Sequence, residues 1–190
     1  MLGVVLVTAS IVLLVVTFFL PQYHSVYRAG DESSEVRYYF DKWTETDIQT
    51  LEKSYNDIGA NDEMGAVMAS VKLLVVLTSF LAWILLILLI LRVELWSVLF
   101  GWFAMAGCVL GLAWPVSKVP AALGVDGGFF NSESDYWTET IMGPASGWYV
   151  LLIACVLISA TAFSMMASYF GTEHPKEVTD WPIEDLPKEL

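Results

Sequence analysis

The strongest constraint in this chain is a run of nineteen uncharged residues, Leu73–Leu91, enclosed by Lys72 and Arg92. As a helix rising about 1.5 Å per residue, the run covers about 28 Å, close to the ~30 Å hydrocarbon core of a bilayer. The two flanking cations then lie where long basic side chains reach the lipid headgroups. The run therefore predicts a membrane-spanning helix.

Three further apolar blocks have the same character. Hydrophobic residues make up 56% of the chain and charged residues 16%, against about 45–50% and about 25% in soluble domains. We predict an all-α integral membrane protein in which one domain, residues 1–190, contains a bundle of four transmembrane helices. The predicted spans are residues 2–20, 66–91, 95–114 and 147–170.

The segments between the spans are predicted to form a partly helical cap outside the membrane. Only Arg92-Val93-Glu94 separates the second span from the third, and so short a connection makes an antiparallel hairpin. Two spans therefore separate loop 21–65 from loop 115–146, which places both loops on one membrane face. An acidic tail, residues 171–190, ends the chain.

The first loop contains the pattern of an amphipathic helix, predicted over residues 45–58. Thr44-Glu45-Thr46-Asp47 resembles a helix-capping box, and apolar residues follow at helical spacing. Upstream, apolar and polar residues alternate over 36–40. This alternation is typical of a strand, but an isolated strand is poorly stable.

Candidate partner contacts lie on that helix and in the third span. Small residues let helices approach closely in lipid, and Gly107-x-x-x-Gly111 is such a motif. The alternative for each residue is packing within its own bundle. In the second loop, Tyr136-Trp137 suits a membrane interface or a contact with the first loop. The candidates are Trp43, Ile48, Leu51, Tyr55, Gly107 and Gly111.

The sequence predicts no catalytic, cofactor-binding or metal-binding residues. The span interiors contain no Asp, Glu, His or Arg, whereas proton relays and ion pathways need ionisable groups at membrane depth. Asp126, Glu133 and Asp135 are candidate calcium ligands, but they lack EF-hand spacing. A net charge of −12 argues against a nucleic-acid partner.

The order of these elements resembles the four-span plan of claudin-like and tetraspanin-like proteins. The likeness covers a short N-terminus, a long first loop, a tight turn between the middle spans, a shorter second loop and a tail. The first loop has Trp43 in place of a Trp-Gly-Leu-Trp segment, and neither loop contains a cysteine. The resemblance therefore implies an arrangement of helices and no functional residue.

These features favour a non-catalytic accessory subunit or scaffold of a membrane assembly. Its expected partners are the lipid bilayer and either other membrane subunits or further copies of the chain. One alternative is a subunit of an oligomeric transporter or channel with acidic vestibules. Another is a membrane enzyme that uses His24 or His174 as an acid or base.

We expect a multi-pass protein with cytoplasmic termini and both large loops external. This orientation rests on architecture, because a large ordered loop after a near-tailless first span is often external. The basic residues favour the opposite orientation: the two loops hold five of the nine Lys and Arg residues.

Overall fold

The structure of the chain, a computed structural model, describes residues 2–30, 32–47, 50–55, 62–124 and 128–172. These residues form four helices and one six-stranded antiparallel sheet. The predicted all-α fold is therefore wrong, and the chain has a mixed α and β fold. The helices are α1 (Leu2–Thr17), α2 (Asp62–Ile90), α3 (Glu94–Ala122) and α4 (Ser146–Thr172).

The four helices form a closed bundle in which each packs on the next and α4 packs on α1. In α1, Val7, Ile11 and Leu14 are buried, and their spacing of three to four residues places them on one helix face. They join Leu85 of α2 and Ile158 of α4 in the bundle core.

Three helices, α2, α3 and α4, are long and apolar enough to cross a membrane, judged by length and composition. The apolar helix α1 has 16 residues, about 24 Å, which is shorter than the ~30 Å hydrocarbon core. Phe18, Phe19 and Leu20 continue it as a turn whose N–H groups donate to carbonyls three residues back. A fourth span therefore stays a prediction.

The third predicted span ended at Trp114, but α3 continues through Pro115 and Pro120 to Ala122. Proline removes one backbone donor and crowds the preceding turn. The extension persists because Pro115, Val119 and Ala122 bury one face of the helix. Tertiary packing thus outweighs the local cost of the proline.

The turn between α2 and α3 closes with a strained residue. Arg92 N–H donates to Leu89 O at 3.3 Å, and Val93 N–H donates to Leu88 O at 3.1 Å, the bond pattern of a Schellman motif. Arg92 has φ +57°, where glycine is usual because a side chain costs about 1–2 kcal/mol.

The sheet joins both loops in the order β4-β3-β2-β1-β6-β5. Tyr23↔Pro144 to Ala29↔Thr138 pair a strand of the first loop with one of the second. The cap thus forms from both loops, but as strands. The strands are β1 (Tyr23–Ala29), β2 (Glu32–Tyr38), β3 (Lys42–Thr46), β4 (Thr50–Ser54), β5 (Asn131–Ser134) and β6 (Thr138–Pro144).

The predicted helix over residues 45–58 is wrong where the structure describes the chain, because β3 and β4 form a hairpin there. The cap-like residues Thr44–Thr46 lie within β3. Cross-strand ion pairs support the hairpin: Lys42 Nζ lies 2.9 Å from Glu52 Oε1, and Lys53 Nζ lies 3.6 Å from Glu45 Oε2. Ile48 and Ile58 lie outside the described residues.

The alternating segment 36–40 overlaps an inner strand, β2, which pairs with β1 and with β3. An isolated strand would be poorly stable, but β2 is one of six strands in the described sheet. One face of the sheet packs on α2 and α3 and forms a second apolar core. This core contains Tyr23, Tyr55, Met64, Met68, Val119, Ala122 and Phe129.

Gln22 joins the bundle to the sheet. Its buried side-chain Nε2 donates to Thr17 O and to Leu20 O, both at 2.9 Å. Its backbone N–H donates to Tyr38 O, and its carbonyl accepts from Ala145 N–H. One residue therefore satisfies carbonyls at the end of α1 and starts β1 between β2 and β6.

We expect Gly147→Ala to destabilise the fold by about 1–3 kcal/mol, the usual cost of overpacking. A Cβ at Gly147 would overlap the Gln22 amide and lie 2.8 Å from Pro21 O, a backbone atom that the junction holds. Thermal unfolding in detergent measures the effect. The matched control is Gly171→Ala in the same helix, where a Cβ meets nothing within 4 Å; an equal loss there would contradict the explanation.

Candidate functional site

The sheet face opposite the second core is polar and internally paired. Arg28 Nη1 lies 3.1 Å from Glu139 Oε2, and Arg37 Nε lies 2.8 Å from Glu35 Oε1. The hydrogen bond from Arg37 lowers the pKa of Glu35. These side chains are partly exposed, and such pairs contribute little free energy. We therefore interpret this face as a solvated surface.

The turn between β5 and β6 presents an exposed aromatic pair, Tyr136 and Trp137, which we name the aromatic tip. The two residues are 85% and 77% exposed, and their rings meet edge to face at 4.8 Å between centroids. Asp135 N–H donates to Thr138 O at 2.7 Å, and Tyr136 N–H donates to Asp135 Oδ1 at 2.7 Å. The turn is thus hydrogen-bonded on both sides of the rings.

The aromatic tip lies at the end of the sheet farther from the bundle. Thr138, beside the tip, pairs with Ala29, whereas Pro144 at the other end of β6 pairs with Tyr23 next to the bundle. Seven strand residues rise about 20 Å. The exposure of both rings shows that they are not packed on the described residues of the first loop.

The surroundings of the aromatic tip are acidic. Residues 128–146 contain Glu133, Asp135 and Glu139 and no Lys or Arg. Arg28 neutralises Glu139, which leaves two carboxylates closest in sequence to the rings. Aromatic side chains at the centre of a contact carry much of the binding energy. The tip thus has the chemistry of an anchor with a negatively charged rim.

The loop residues predicted as contacts do not share one surface. Trp43 packs against the second core, with Lys53 Nζ 4.7 Å from its ring. Tyr55 is buried, and its hydroxyl donates to Tyr39 O at 2.8 Å. Leu51 is 51% exposed. Ile48 lies outside the described residues. Of this set, only Leu51 is well exposed in the described part of the chain.

Gly107 and Gly111 lie inside the bundle. A Cβ at Gly107 would overlap Thr78 Oγ1 of α2, and one at Gly111 would lie 3.7 Å from Leu151 Cδ2 of α4. Both glycines are buried. The motif therefore holds α3 against α2 and α4, which is the alternative of packing within its own bundle. We do not propose it as a subunit contact.

Gly107→Ala should lower the free energy of unfolding by about 1–3 kcal/mol, because the new methyl group would displace the buried Thr78 side chain. Gly111→Ala is the matched variant: its nearest neighbours lie at 3.7 and 3.9 Å, an ordinary contact distance. Thermal melts of both variants in one detergent compare them. Equal losses would show that the Thr78 contact is unimportant.

Three tyrosines lie where the sheet meets α2 and α3. Burial raises the pKa of Tyr23 to about 12, and burial also raises the pKa of Tyr38 and of Tyr55. Tyr23 donates its hydroxyl proton to Phe129 O at 3.0 Å. The protonated forms therefore stabilise the contact between sheet and helices.

We expect stability to be lost as pH rises between about 10, the unfolded pKa of tyrosine, and about 12. In that window the unfolded state releases protons that the folded state retains. Tyr23→Phe should weaken this pH dependence, at a cost of about 1 kcal/mol at neutral pH because Phe129 O loses its donor. Tyrosinate absorbance and circular dichroism, followed against pH, test both effects. An unchanged alkaline transition in the variant would exclude Tyr23 as its source.

Metal-ligating residues do not cluster in the described chain. No group of three or more His, Cys, Asp or Glu is placed there to hold a metal ion. Of the calcium candidates, Glu133 accepts a hydrogen bond from Asn131 and Asp135 from Tyr136, while Asp126 lies outside the described residues. His24 lies beside Glu35 and Arg37 in an open cleft, and His174 is not described.

No model of a known protein family matches the chain, and no curated protein is significantly similar to it. The likeness to claudin-like and tetraspanin-like proteins therefore stays one of arrangement. The aromatic tip was not among the candidate partner contacts predicted from the sequence, which assigned Tyr136-Trp137 to a membrane interface or to a contact with the first loop. Its signal in the sequence was the pair Tyr136-Trp137 within an otherwise polar segment, but only strand pairing shows which end of the sheet it occupies.

Proposed function

We propose that the protein is a non-catalytic, multi-pass membrane protein that acts as an accessory subunit or scaffold and binds a partner protein through the aromatic tip. The observation that carries this proposal is the exposure of Tyr136 and Trp137, 85% and 77%, in a hydrogen-bonded turn. Three long apolar helices support a membrane location. The proposed topology keeps α1 as the fourth span.

The geometry of the tip favours a protein partner. Two large aromatic side chains in water are unfavourable unless a partner removes them from it. They stand on a hydrogen-bonded hairpin, and a turn held in this way loses less conformational entropy when its side chains enter a pocket. Glu133 and Asp135 beside them would complement a basic rim around that pocket. We therefore propose an apolar pocket with a basic rim on the partner.

Replacing both rings, Tyr136→Ser with Trp137→Ser, should weaken the complex at least about thirtyfold, as the loss of a 2 kcal/mol anchor does. The measurement is native mass spectrometry of the protein extracted mildly from its own membrane. We expect a stoichiometric complex with unlike subunits for the unmodified chain and its loss in the double variant. Raised salt should also weaken the complex.

The matched control is Leu51→Ser, which removes an exposed apolar side chain from β4 and leaves the tip intact. The complex should survive this change. A complex that persists in the double variant would exclude the tip as the contact. If the unmodified chain is extracted only as a homo-oligomer, the accessory-subunit proposal fails, and a lipid-bilayer flux assay then tests the transporter alternative.

A further inference from the structure

A cavity of about 380 Å³ opens among the four helices, at the end of the bundle opposite the sheet. Its volume falls in the range of about 300–1,000 Å³ that is usual for ligand sites. Leu2 and Leu6 of α1, Leu89 of α2 and Val98 of α3 supply apolar walls. The turn between α2 and α3 lines it as well, through Arg92 and Glu94.

The hydroxyl groups in this cavity are largely engaged by their own helices. Ser97 Oγ donates to Val93 O at 2.6 Å, and Thr161 Oγ1 donates to Leu157 O at 3.0 Å. A hydroxyl whose proton is already bonded has no donor left for an anionic or carbonyl group of a ligand, although its oxygen can still accept a hydrogen bond. The walls therefore suit a hydrocarbon chain.

The turn supplies a cation. Arg92 is exposed, and no described carboxylate lies within ion-pair distance of it. Its backbone has φ +57° at a position where glycine would close the same turn without strain. Strain of this kind is typical of ligand clamps. A guanidinium also binds a phosphate through paired hydrogen bonds.

We propose that the cavity binds one anionic phospholipid, with a hydrocarbon chain between the helices and its phosphate on Arg92. The proposal rests on the membrane location in the proposed function, but not on the aromatic tip. The attraction is local to Arg92: the protein carries −12 and repels anionic lipids in general, but Arg92 lies beside an apolar cavity with no described carboxylate within ion-pair distance, which makes it a selective point of attachment for one phosphate.

The test places the protein in nanodiscs of phosphatidylglycerol and phosphatidylcholine with identical acyl chains and counts retained lipids by native mass spectrometry. We expect one phosphatidylglycerol molecule per chain, held in preference to phosphatidylcholine. Arg92→Gln should reduce that preference about tenfold, and Arg92→Lys should restore most of it. Equal retention of the two lipids by the unmodified chain would overturn the proposal.

Arg92→Gly separates ligand binding from folding. Glycine relieves the strained φ, so this variant should unfold at a higher temperature than the unmodified chain in lipid-free detergent and still lose the preference for phosphatidylglycerol. A variant that keeps the preference would overturn the role of Arg92. Failure to enter nanodiscs would contradict the membrane location itself, whereas entry without selective binding contradicts only this proposal.

Two substitutions in α4 test whether the cavity is the binding site. Ser164→Leu places a bulky side chain among the lining residues and should abolish retention, whereas Ala167→Leu changes an exposed position of the same helix outside the lining and should not. In the sequence, residues 173–190 begin four positions after Tyr169, the last lining residue of α4. If removing them is required before phosphatidylglycerol binds, the tail is the occupant and the lipid proposal fails.

Discussion

The hydrogen bonds of Gln22 are the constraint on which the rest of the structure depends. Its side chain satisfies Thr17 O and Leu20 O where α1 ends, and its backbone pairs with Tyr38 and Ala145 on either side. Gly147 N–H adds a bond to Pro21 O, which requires the absence of a side chain there. The position of the sheet relative to the helices follows from this contact.

Two apolar cores depend on this junction. The bundle core contains residues of all four helices, and the second core lies between the sheet and the ends of α2 and α3. Trp148 packs against both cores, and its ring lies 5.8 Å from that of Phe129. The ends of α2 and α3 therefore support the sheet.

The two ends of the molecule have opposite chemistry. At the sheet end, the hairpin of β5 and β6 exposes two aromatic rings among carboxylates. At the other end, a strained arginine stands beside an apolar cavity. We propose that the sheet end binds a protein partner and that the opposite end binds an anionic lipid. The first proposal follows from the exposure of two large aromatic rings, and the second from the strained backbone of Arg92.

Much of the helical part was predictable from residue patterns alone. The core of α2 was predictable because a run of nineteen uncharged residues favours a long apolar helix. The short connection Arg92-Val93-Glu94 required α2 and α3 to be antiparallel neighbours. The ends of the helices were less predictable. Pro115 is a local signal to stop, and only contacts formed by Val119 and Ala122 outweigh it.

The main wrong prediction was a helical cap where the structure has a sheet, and this error has a physical cause. Residues 44–58 carry cap-like and helical spacing signals, so their local pattern favours a helix. Strand pairing is a long-range interaction: β1 finds β6 more than a hundred residues away, and no window of sequence contains both partners. Sequence composition and periodicity determined that the chain has long apolar helices. Only the tertiary structure decided that the loops pair as strands, that Gly107 and Gly111 face inward, and that Tyr136 and Trp137 are exposed.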